Sequence, residues 1–150
     1  MFFDSAAVNR AIVREMHAIG EDWVAGARRW LDEHGTNFKG LTQNTVFYEV
    51  QQALDEVILE AGANTGYSYW VEYGRGPGKQ PPRHKIRQWV QVKLGITEPG
   101  RLEIVARRIA EKIAAKGTKA QPFMRESLEE LLPEIPDRLE AAIANAIEAG

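Results

Sequence analysis

From Val8 onward, apolar residues recur every three or four positions: Ile12, Met16, Ile19, Trp23, Ala27, Trp30 and Leu31. This stripe predicts one long helix over residues 4–34 with a single face turned to a core. Asp4 or Ser5 can cap its first turn, and Gly35 stands where a helix ends at low cost. Gly20 and Gly26 disfavour a helix interior by about 1 kcal/mol each, so they predict a bend or the close approach of a neighbour. Trp23 and Trp30 share the apolar face, which suits a core position and also a subunit contact. Residues 36–44 read as a polar loop, after which the period changes. Asn44 to Val50 mixes β-branched and aromatic residues, and Glu56 to Ala61 is a second short apolar run. Together they predict two antiparallel strands, although Val50, Ala53, Leu54, Val57 and Ile58 also fit a helical period. Gly62 to Gly66 reads as a turn.

Residues 67–73 place four aromatics in seven positions, and Gly74 to Pro82 is a Gly/Pro-rich loop that excludes helix and central strand. Helical spacing then returns over about 83–94, with Ile86, Trp89, Val90 and Leu94 on one face. It returns again over 98–116, with Ile104, Val105, Ile109 and Ile113, and Gly117 as its stop. A helix over 122–132 opens at Pro122, and a last one spans 137–148 after Pro133 and Pro136. The expected fold is α+β: a long N-terminal helix, a small antiparallel sheet and C-terminal helices, in one domain over residues 1–150. Ile12, Met16, Trp23, Ile109 and Phe123 are the expected core.

Composition narrows the chemistry. The chain has no cysteine, which excludes disulfides, thiol nucleophiles and thiolate metal sites. His17, His34 and His84 are too far apart in sequence for a ligand motif. Ser5, Ser68 and Ser127 lack the setting of a nucleophile. Gly74 to Lys79 superficially suggests a phosphate loop, but Tyr73 and Gln80 stand where Gly and Ser or Thr are required. No enzyme, cofactor, metal or small-molecule substrate is therefore expected. The first residues, Met-Phe-Phe-Asp, do not read as a signal peptide, and no run is long enough to span a membrane.

Net charge is -2, yet it is strongly segregated. Residues 1–72 carry -6 and residues 120–150 carry -5, whereas residues 73–97 carry +6 with no acid at all. A basic middle between acidic ends can steer copies of one molecule together. Arg75, Lys79, Arg83, Lys85 and Arg87 are thus candidates for a subunit interface or for contact with DNA. The glycines of the 74–82 loop predict that it orders only against a neighbour.

Two segments are more specific. They are Val71-Glu72-Tyr73-Gly74, within an aromatic run, and Gln121-Pro122-Phe123-Met124, opening a helix. In this order and behind a long helix they resemble the gene-ten-like tail-component family of long-tailed bacteriophages, whose members act in tail completion or head–tail joining. Arg75 stands where that family commonly has Thr, Ser127 where it has Ala, and residues 83–116 lengthen the interval between the motifs. The resemblance implies a structural virion protein, assembled in the host cytoplasm and forming a hexameric ring around the DNA channel. It also implies docking on neck or tail-tube partners. A DNA-contacting module using residues 75–93 is the alternative. From the residues themselves, Glu72 in an aromatic setting needs a partner, for which Thr118, Lys119 or an arginine would serve. Pro122-Phe123 would set the entry of its helix and dock the ring in the core.

Overall fold

The computed structural model describes residues 4–34, 45–65 and 68–149. Helix α1 (Ser5–Glu33) is its axis. Asp4 caps it by accepting from the N–H groups of Ala6 and Ala7 at 2.9 and 3.2 Å. Strands β1 (Val46–Gln52) and β2 (Val57–Ala63) follow as an antiparallel hairpin, pairing Val46 with Ala63 and Gln52 with Val57. The two strands are those expected, each displaced one or two residues toward the C-terminus, and Gly62 belongs to β2 rather than to a turn. Gly35, the 36–44 loop, Gly66 at the end of the expected turn, and Tyr67 lie outside the described residues. Helix α2 (Ser68–Tyr73) is short. Helix α3 (Arg83–Trp89) runs on through one π-helical turn, Val90–Leu94, and ends on Gly95. Helices α4 (Pro99–Lys116), α5 (Phe123–Leu131) and α6 (Ile135–Ala149) complete the α+β fold. Among the described residues no helix is long and apolar enough to cross a membrane.

The core forms around α1. Val24, Ala27, Trp30 and Leu31 close on Val46 of the hairpin and on Phe123 of α5. Of the five residues expected inside, Phe123 is fully buried, while Ile12, Met16, Trp23 and Ile109 are only partly covered. The hairpin, α5 and α6 all pack on α1, and its buried arc runs through Ala11, Ile19, Gly20, Val24, Ala27, Trp30 and Leu31. Ile12, Met16 and Trp23 lie at the rim of that arc. Both interior glycines mark contacts, as expected. A Cβ at Gly20 would lie 2.5 Å from the Tyr48 ring, and one at Gly26 would lie 3.4 Å from Cβ of Ser127. Arg138 ties α6 to α1, donating to Glu15 at 2.8 Å and Asp22 at 2.7 Å. These two carboxylates hold its guanidinium pKa above the ordinary value, the Asp22 hydrogen bond most of all.

A second cluster stands apart in sequence. Val90, Leu102 and Ala106 pack with Ile86, Trp89, Val105 and Ile109, so α3 and α4 form a helical hairpin with its own apolar seam. The chain enters it at Arg75 and leaves at Thr118, and these two residues form an antiparallel bridge. This helical hairpin fills the interval between the two sequence motifs.

Candidate assembly surface

The motif segments meet. The residue before α5 is Pro122, whose side chain offers no acceptor for the free N–H groups of the first turn. Glu72 supplies one from α2: its carboxylate accepts from the N–H of Met124 at 2.9 Å and of Arg125 at 3.0 Å. These are the second and third helical positions, where a capping side chain ordinarily binds. Neither Thr118, Lys119 nor an arginine side chain takes that role. Thr118 exchanges both backbone bonds with Arg75, at 2.9 and 2.7 Å, and the N–H of Gln121 reaches the carbonyl of Val71 at 2.7 Å. Gly74 and Gly117 make this seam possible. Each has φ of +73°, and a Cβ would fall 2.7 Å from the Ala120 nitrogen or 2.1 Å from the Arg75 carbonyl oxygen. Val71, Glu72, Gly74, Gln121, Pro122 and Phe123 therefore form one structural joint.

The joint is fastened to α1. Trp23 donates its indole N–H to the Met124 carbonyl at 2.9 Å, and Trp30 donates to the Glu126 carboxylate. Ser127, buried, donates to the Phe123 carbonyl at 2.6 Å beside Gly26. Both tryptophans thus have partners within one copy, and Trp30 is nearly buried under a stacked His34 ring.

Turning Val71, Glu72 and Ser68 inward leaves the other side of α2 to solvent. Tyr69, Trp70 and Tyr73 are 60%, 49% and 65% exposed. Their rings touch one another, with centroids 5.2 Å apart for Tyr69–Trp70 and 4.8 Å for Tyr69–Tyr73. The Arg75 guanidinium lies 5.8 Å from the centre of the Trp70 ring and donates to the Lys79 carbonyl. Three exposed aromatics and an arginine in one patch have the make-up of a protein-docking surface.

The cations singled out from sequence do not act as one set. Arg83 and Arg87 turn to Glu103 on α4, at 3.5 and 3.0 Å. The Arg87 hydrogen bond, above all, holds the Glu103 carboxyl below the usual carboxylate range. Lys79 is exposed and Lys85 partly covered. The 74–82 loop makes backbone contacts within the chain. Besides the Arg75–Thr118 bridge, the N–H of Gly78 donates to the Ala114 carbonyl at 2.8 Å.

Comparison with known families, with characterised proteins and with solved structures finds no match. Function rests on the chain's own surfaces. Two surface clefts stand out, of ≈370 Å³ between α1 and β1 and ≈510 Å³ around Leu94 to Arg101. Among the described residues no three potential metal ligands cluster. Sequence reading missed a row of cations on α4, Arg101, Arg108 and Lys112, all exposed. Their helical spacing was the available signal.

Proposed function

We propose that this chain is a structural virion protein of the phage head–tail junction, assembling with its own copies into a ring and docking on neck or tail-tube proteins. One observation carries the reading. The two motif segments, 47 residues apart from Gly74 to Gln121 in the chain, fold into a single joint, and that joint presents Tyr69, Trp70 and Tyr73 to solvent with the partly covered Arg75 beside Trp70. Evolution has little reason to expose a Trp and two Tyr together on a six-residue helix unless something covers them. A large macromolecular partner suits an exposed patch of this kind better than a small substrate, which is ordinarily held in a concave site. The DNA-contacting alternative has less support, because Arg83 and Arg87 answer Glu103 and Arg75 folds over Trp70.

The test is made in the phage that encodes the chain. Substituting Trp70→Ala with Tyr73→Ala removes exposed side chains and leaves the Glu72 cap in place. The expected result is a folded protein with separate full heads and tails in the lysate. Joined particles at the parental titre would count against the reading.

A further inference from the structure

Among the described residues, nothing packs on one face of the β1–β2 hairpin. Side chains alternate along each strand: Val46 is buried and Tyr48 packs at Gly20 of α1, whereas Phe47, Glu49 and Gln51 are exposed on the other side. Phe47 is 43% exposed, lying across Gly62, and Ile58 stands opposite Gln51. Between these two apolar residues, Glu49 and Glu60 are direct cross-strand partners. Like charges placed opposite each other weaken a strand pair. Among the described residues, no cation lies within ion-pair distance of either carboxylate. Residues 45–65 hold four acids and no base.

The helical hairpin is its counterpart. Residues 76–117 hold ten basic and three acidic side chains. On α4, Arg101, Ile104, Arg108 and Lys112 fall along one exposed face, away from the Leu102–Ala106 seam, and Ile104 is 47% exposed. Arg107 pairs with Glu111 within the helix. Among the described residues no carboxylate lies within ion-pair distance of Arg101, Arg108 or Lys112. Arg101 to Arg108 spans about 10 Å of helix, close to the roughly 13 Å from the Phe47 pair to the Ile58 pair along the ladder.

We propose that the outward face of the β1–β2 hairpin in one copy seats on the Arg101–Ile104–Arg108–Lys112 face of α4 in the next. Phe47, Ile58 and Ile104 form the apolar contact, and the arginines relieve the Glu49–Glu60 repulsion. Charge selects this occupant over a second hairpin. Among the described residues both edges of the two-stranded sheet are unpaired, but joining two hairpins there would bring four carboxylates from each together without a cation from either hairpin. The two faces differ, so the contact is head-to-tail, the kind that closes into a ring when the rotation permits. The proposal rests on the ring reading above and names the surfaces that would build it.

Two variants test it: Glu49→Lys with Glu60→Lys, and Arg101→Glu with Arg108→Glu. All four side chains face solvent, and circular dichroism checks that each variant folds like the parent. Oligomer mass is read by mass photometry at about 50 mM salt, where screening is weak. Each variant alone is expected to need at least ~10-fold more protein to assemble than the parent. An equimolar mixture should recover assembly, since each reversed face meets an opposite charge on the other variant. Parental assembly by both variants, or no recovery in the mixture, overturns this pairing and leaves the ring reading standing. A parent chain that stays monomeric under these conditions overturns both.

Discussion

At the scale of single residues, Glu72 and Phe123 hold the joint. Phe123 is 1% exposed and sits between α1 and β1 in the core. Truncating it to Ala should cost about 3–5 kcal/mol, the range for a buried Phe. A chemical denaturation curve reads this directly, and an unchanged midpoint would mean the ring carries no packing. Glu72→Ala should cost less, about 0.5–2 kcal/mol, because it removes a helix cap and no core volume. Glu72→Gln keeps an oxygen acceptor for one N–H and should fall between the parent and Glu72→Ala in the same assay. The burial of Phe123 was legible from Pro-Phe at the start of an apolar period. The partner of Glu72 was not, because a cap supplied from 52 residues away leaves no local trace. It follows from Pro122 occupying the cap position with no acceptor of its own. The half-burial of Ile12, Met16 and Trp23 was equally hidden, since periodicity locates an apolar face but does not say how many elements press on it.

At the scale of elements, the α3–α4 hairpin is the separable part. Its seam is internal, and both chain ends meet at the Arg75–Thr118 bridge. Bridged residues lie about 5 Å apart, so a two- or three-residue turn can close the gap. Replacing residues 76–117 by such a turn should leave a cooperatively folding protein, visible as one thermal transition with retained helix signal. Loss of cooperativity would show that the insert supports the rest. Within the insert, Glu103 joins α3 to α4 through Arg83 and Arg87. Its pKa is lowered by folding, so its contribution is present above the ordinary carboxylate range and is lost as pH falls through the lowered value. Glu103→Gln should therefore lower stability at neutral pH and flatten the acid limb of the profile, which denaturation at a series of pH values reads. Most elements were legible because their periods are clean. Helix α2 was not, since Tyr-Ser-Tyr-Trp-Val-Glu-Tyr favours strand by composition. It becomes helical because Ser68, Val71 and Glu72 turn to one side, where Ser68 bonds the Thr65 carbonyl and Glu72 bonds α5.

At the scale of the whole molecule, charge and exposed apolar surface are sorted onto different projections. The hairpin is acidic, the helical insert basic, and the aromatic patch of α2 lies at the joint from which the insert departs. The alternation of charge was legible in the sequence, but the pairing of individual cations was not. Arg83 and Arg87, the obvious interface candidates, pair with Glu103, while Arg101, Arg108 and Lys112, which have no carboxylate at ion-pair distance among the described residues, stand one helix later. Surfaces that are complementary yet distinct favour repeated head-to-tail contact over a symmetric dimer. Native mass spectrometry of the purified chain across a dilution series tests this most directly. One closed assembly is expected, six copies by the phage-tail resemblance, weakening as salt rises. A monomer at every concentration, or a dimer that grows no further, would contradict it.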